Sequence, residues 1–113
     1  LYPDTGLPHP RLYGTFPRVM EKYVKDEKIL SIEQAVKKMT SSPAKRLDLK
    51  GRGVVKEGYK ADLLLFDLEN IRETSTYISP ANFGKGFDYI FVNGKVAVEN
   101  DKISDVNNGE CIF

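Results

Sequence analysis

A chain of 113 residues with 41% hydrophobic and 29% charged side chains has ordinary globular composition, which excludes a disordered tail. Seventeen Lys and Arg against sixteen Asp and Glu leave a formal charge of +1, so no net field points to nucleic acid or to an anionic membrane. The longest apolar run, Leu63-Leu64-Leu65-Phe66, falls far short of the ~20 residues that cross a bilayer, and the single Cys111 allows no internal disulfide and suits a reducing cytoplasm.

The chain opens at Leu1-Tyr2-Pro3-Asp4 without an initiator Met and in a turn-like stretch, so the expectation is a chain cut from a longer one. Pro3, Gly6 and Pro8 predict an extended loop leading into His9-Pro10-Arg11. A first helix is predicted from Thr15, with Thr15 as N-cap and Pro17 in the first turn. Phe16, Val19, Met20 and Tyr23 then share one face, with Lys22 and Lys25 toward solvent. Ser31 followed by Gln34 is a capping box, and Ile32, Ala35, Val36 and Met39 make the apolar stripe of a second helix. Thr40-Ser41-Ser42 interrupts that run, and a short third helix, capped by Ser41 or Ser42, is expected through Ala44 to Leu47.

From Gly51 the pattern changes to recurring glycines and β-rich apolar segments. Residues 61–67 carry a continuous rather than alternating apolar run, the pattern of a strand buried on both faces. Residues 88–92 and 95–98 flank Asn93-Gly94, two residues that tolerate positive φ and together predict a type I′ hairpin. A last short strand is expected over residues 110–113. Helices followed by sheet make an α+β chain.

The residue types that build common catalytic centres are mostly missing. One histidine, no H-x-H, no HExxH and no paired cysteines leave no complete zinc site from nitrogen and sulfur donors. Gly51-Arg52-Gly53 opens no helix and so is no dinucleotide loop, and Asp26-Glu27 and Asp48 read as solvated surface. His9-Pro10-Arg11 differs, because a lone His and an Arg lie together in a loop stiffened by proline, where ligand contacts concentrate. Two readings stay open from the residues alone: a ligand-binding pair, or a surface Arg beside a His bonded to backbone.

Three stretches together resemble the C-terminal region of the N-acyl-D-amino-acid deacylases, or D-aminoacylases, of the amidohydrolase superfamily. Pro8-His9-Pro10-Arg11-Leu12-Tyr13-Gly14-Thr15-Phe16-Pro17-Arg18-Val19 is similar to the segment that follows the family's barrel aspartate. Leu30-Ser31-Ile32-Glu33-Gln34-Ala35-Val36, with Met39-Thr40-Ser41 and Pro43-Ala44, resembles the closing barrel helices. Ala61-Asp62-Leu63, Asp67 and Val92-Asn93-Gly94 resemble the superfamily's sheet signature.

The resemblance implies a fragment in which residues 1–50 are the loop and closing helices of a (β/α)8 barrel. Residues 51–113 would be strands of the small appended β-sandwich domain. It further implies a zinc enzyme that hydrolyses N-acyl-D-amino acids, in which metal polarises the amide and activates water while an aspartate moves the proton. The zinc ligands and that aspartate would come from upstream strands, so no metal or catalytic residue is expected here. Arg11 resembles the arginine that meets the substrate's α-carboxylate, with His9 bracing it. The partners implied are the small-molecule substrate and the remainder of the barrel, in a cytoplasmic setting. Exposed apolar helix faces would also allow self-association. The rival readings are a dihydroorotase-like or hydantoinase-like cyclic amidohydrolase and, from another class, a non-catalytic binding or assembly module.

Overall fold

The computed structural model describes residues 6–112. Residues 1–5 of the expected entry loop and Phe113 of the expected last strand lie outside them. The first helix, α1, spans Arg11–Arg18, with Pro10 at its N-cap at φ −51° and ψ −30°. It therefore begins four residues before the predicted Thr15 start. The proline ring holds φ near the helical value, and the first helical N–H, that of Arg11, finds an acceptor in His9. Thr15 is consequently no cap but an interior residue whose hydroxyl donates to the Arg11 carbonyl, and Phe16 is 65% exposed.

Pro17 contributes no N–H to the ladder, and beyond it the helix continues as a wider π-helical stretch, Val19–Asp26. Met20 and Val24 on this stretch are buried. The predicted outward Lys25 is half-buried instead, because its ammonium donates to the Ile71 carbonyl at 3.1 Å.

Helix α2, Ile32–Met39, starts at the predicted capping box: Gln34 N–H donates to Ser31 Oγ at 3.2 Å, and Ser31 N–H to Gln34 Oε1 at 3.0 Å. Its stripe divides, with Ala35 fully buried and Val36 38% exposed. Helix α3, Ser41–Arg46, is capped by neither serine, since both lie within it. Thr40 holds the N-cap position with φ −128° and ψ −83° while its hydroxyl donates back to Val36 O.

Four antiparallel strands follow in the order β1 (Leu63–Phe66), β2 (Phe87–Val92), β3 (Lys95–Glu99) and β4 (Lys102–Ile103). The β2–β3 turn is the predicted one, with Asn93 at φ 48° and Gly94 at φ 78°. A second tight turn joins β3 to β4 through Asn100 and Asp101, at φ 49° and 62°. Asp101 also accepts hydrogen bonds from the Gly86 and Phe87 amides, which ties that turn to the start of β2.

Two strand expectations are corrected. Leu63, Leu64 and Leu65 are 36%, 56% and 54% exposed rather than buried on both faces. A continuous apolar run reports a demand for cover, and within this chain β1 is an edge strand that receives little. Residues 110–112 form no strand. The preceding tail is held by side chains instead, Asn108 Nδ2 donating to Val92 O at 2.9 Å and Asn93 Nδ2 to Asn108 O at 2.7 Å.

Tyr89 and Glu99 face each other across β2 and β3, with the phenol donating to the carboxylate at 3.1 Å. This hydrogen bond, then the negative charge of Glu99, raises the Tyr89 pKa above its ordinary value. The protonated phenol is the favoured form in the fold, so its stabilising contribution is present below the ordinary phenol pKa and lost as pH rises through the raised value. In an alkaline absorbance titration Tyr89 should ionise later than a free tyrosine, and Glu99→Gln should move it back. An unchanged Tyr89 titration in that variant would remove Glu99 as the cause.

The buried core is small: Met20 and Val24 from the π-helical stretch, Ala35 from α2 and Ile71 from the β1–β2 connection. Phe66 and Leu68 pack against it. The radius of gyration is 14.7 Å against roughly 13 Å for a closely packed chain of this length. An apolar cleft of about 1090 Å³ lies between helices and sheet.

Candidate functional site

The cleft is lined on one side by Phe16, Met20 and Met39 and on the other by Leu64, Phe66 and Ile90. Its size is at the upper end for ligand pockets, and among the charged side chains that line it Arg52 and Asp62 are mutually engaged. Neither His9 nor Arg11 lines it. The residues singled out from sequence lie apart from it.

Their polar contacts gather at the start of α1. His9 Nδ1 accepts the Arg11 N–H at 3.1 Å, so the imidazole satisfies one of the helix-terminal donors that lack an internal partner. The other ring nitrogen, Nε2, lies 3.3 Å from the Tyr77 hydroxyl. The two rings meet edge to face, centroids 5.2 Å apart and planes at 79°. Pro10 is buried, and its carbonyl lies 3.1 Å from the buried Ser75 hydroxyl. Arg11 itself is exposed, on the first turn of the helix, and its guanidinium has no hydrogen-bonded or ionic partner among the described residues.

The segment that delivers Ser75 and Tyr77 is the long connection from β1 to β2, laid along the helix by polar ties and glycines. Arg18 donates to Glu73 Oε2 at 2.8 Å, an interaction that raises the Arg18 pKa, first through the hydrogen bond and then through the charge. The Glu73 amide donates to Glu21 Oε2 at 2.6 Å. Gly14 admits the connection closely: a Cβ there would stand 2.8 Å from Glu73 Oε1 and 3.1 Å from Ser75 Cβ. Gly84 similarly makes room for the Pro17 ring. Tyr13 and Phe83 complete the contact edge to face at 5.3 Å.

Both residues singled out from sequence, His9 and Arg11, thus sit at one helix start, His9 on the Arg11 backbone. Tyr77 and Ser75 are additional members that sequence reading missed. They are 68 and 65 positions away from their partners, and no local periodicity links them. Among the described residues no group of three His, Cys, Asp or Glu is placed to hold a metal ion, and both His9 nitrogens are engaged within the chain. These residues do not fit a zinc site. Among the described residues no helix is long and apolar enough to cross a membrane.

The sequence pattern of the amidohydrolase family matches residues 5–98. The D-aminoacylase of Alcaligenes xylosoxydans xylosoxydans is 44% identical over 92 residues, which cover 81% of this chain and 19% of that protein. The crystal structure of D-aminoacylase superposes with a TM-score of 0.87 at 38% identity, over 91% of this chain and 22% of that one. The N-acyl-D-glutamate deacylase of Bordetella bronchiseptica superposes with a TM-score of 0.79 at 36% identity, over 80% and 19% of the two chains. That protein was solved with zinc and a phosphonate inhibitor that mimics the tetrahedral intermediate. Dihydroorotases match too, that of Lactobacillus gasseri at 33% identity over 99 residues, which cover 87% of this chain and 22% of that protein. The chain spans about a fifth of the length of the relatives it matches.

Proposed function

This chain belongs to the amidohydrolase family, and from that premise we propose that it is the substrate-orienting part of a zinc-dependent enzyme releasing a D-amino acid and a carboxylate from an N-acyl-D-amino acid. The observation that carries the proposal is Arg11: an exposed guanidinium without a partner among the described residues, on a helix start whose backbone is held by His9. The α-carboxylate is the group common to all N-acyl-amino acids. A planar guanidinium can meet it with two parallel charge-assisted hydrogen bonds, and the helix N-terminus adds a potential of the same sign. His9 is assigned the supporting role, because both of its nitrogens are occupied in bracing. Zinc is assigned to residues other than these.

In this reading residues 1–50 close the catalytic barrel and residues 51–113 form the appended β-domain. The apolar cleft then faces the remainder of the barrel, and the lone cysteine suits a cytoplasmic protein. To test the activity, the protein containing this chain is assayed with N-acetyl-D-amino acids, their L-enantiomers and dihydroorotate. Hydrolysis confined to the D-series is expected. Ring opening of dihydroorotate without D-series hydrolysis would move the protein to the cyclic-amide branch.

Residues 1–113 alone are expected to take up no stoichiometric zinc and to hydrolyse no N-acyl-D-amino acid, for want of a ligand set and a positioned base. One zinc per chain surviving a weak chelator in metal analysis would contradict this.

A further inference from the structure

We propose that Tyr77 is a positioning residue for Arg11, acting through the His9 imidazole. The inference deepens the reading of Arg11 as the carboxylate ligand and rests on it. The Arg11 amide donates to His9 Nδ1 at 3.1 Å, so Nδ1 carries no proton. A neutral imidazole then bears its hydrogen on Nε2, and the Tyr77 oxygen, 3.3 Å away, accepts it. The Arg11 amide, which can only donate, sets that tautomer, and the phenol holds the ring orientation in which Nδ1 meets the helix start. With the proton on the other nitrogen, the Arg11 amide would lose its acceptor at a helix end that has no other side-chain cap.

Two further observations point the same way. Tyr77 is 79% exposed, so burial does not account for an aromatic ring at that loop position; its directed contacts are with His9. Ser75, two residues earlier, is buried with its hydroxyl 3.1 Å from the Pro10 carbonyl. One loop therefore lies against the two consecutive residues that precede Arg11, at the Pro10 carbonyl and the His9 side chain. A loop built from the sheet half of the chain thus sets the place from which the guanidinium reaches out.

The test uses the full-length enzyme, an N-acetyl-D-amino acid, and its analogue with a carboxamide in place of the α-carboxylate. Tyr77→Phe keeps the edge-on ring and removes the acceptor. It should raise KM for the acid roughly two- to tenfold, the worth of one hydrogen bond, with a smaller change in kcat and little change for the carboxamide. In nitrogen-15 spectra of the His9 ring, assigned with His9→Asn, the same variant should shift the Nε2 resonance, because that nitrogen loses its hydrogen-bond partner. His9→Asn combined with Tyr77→Phe should be no worse than the poorer single variant, since both act through one link. A Tyr77→Phe enzyme that keeps its KM for the acid, or that loses acid and carboxamide alike, overturns the inference. Arg11→Ala is measured alongside to separate the two claims. If Arg11→Ala discriminates acid from carboxamide and Tyr77→Phe does not, only the positioning role fails. If Arg11→Ala does not discriminate, the carboxylate reading fails, and an unaltered His9 Nε2 resonance in Tyr77→Phe then also excludes the link itself.

Discussion

Arg11→Ala in the full-length enzyme should lower kcat/KM for an N-acyl-D-amino acid by about ten- to a hundredfold. The range corresponds to losing one charge-assisted contact of roughly 1.5 to 3 kcal/mol, with more lost if the amide also shifts from its reacting position. Among the described residues no carboxylate pairs with the guanidinium. Arg11→Lys should recover part of the loss, because a point charge attracts the carboxylate but cannot supply two parallel bonds. The carboxamide analogue should already react poorly with the native enzyme, and Arg11→Ala should harm it little further. Comparing both substrates with both enzymes separates a direct contact from general damage to the loop. Equal losses for the two substrates would make Arg11 a structural residue of the helix start.

The second large effect is on stability. Ile71 is fully buried, and its neighbours Met20, Val24 and Ala35 come from two different helical segments. Ile71→Ala should cost about 2 to 5 kcal/mol, and Ile71→Val about 0.5 to 1.5 kcal/mol, the difference being the cavity that the larger deletion leaves. Ile71 also reaches the apolar cleft, where neighbours can relax into the space, which favours the lower half of the first range unless other parts of the protein fill the cleft. The denaturant midpoint should fall with an unchanged slope. A loss below about 0.5 kcal/mol for alanine would mean that this cluster is not the core. The same residue opens the connection that carries Ser75 and Tyr77. Ile71→Ala should therefore raise KM for the acid at denaturant concentrations where the native enzyme is unaffected.

The parts of this fold that were legible in sequence are those whose cause is local. Ser31 and Gln34 form a capping box because the two groups that satisfy each other are three residues apart. Asn93-Gly94 makes its turn because both residues accept positive φ wherever the chain lies. Asn100 and Asp101 adopt the same kind of turn with a weaker local signal, and Asp101 is held in place by the amides of Gly86 and Phe87, 15 and 14 positions away. The start of α1 was misplaced for a similar reason. Thr15 with Pro17 is a fair local cap, but His9, Pro10 and their contacts with Ser75 and Tyr77 favour a start at Arg11.

By itself the sequence determined the α+β order, the α2 capping box, the β2–β3 turn and the resemblance to the amidohydrolases, which the family match bears out, whereas Arg11, expected in a loop with His9, begins helix α1. Each is written in residue types at short spacing, which bond geometry and backbone sterics translate directly. Only the tertiary structure decided that β1 is an exposed edge, that Lys25 turns inward to Ile71 and that Tyr77 reaches His9. Exposure and long-range hydrogen bonds depend on which distant surfaces meet, and here Gly14 and Gly84 allow them to meet: side chains there would push the β1–β2 connection off the helix.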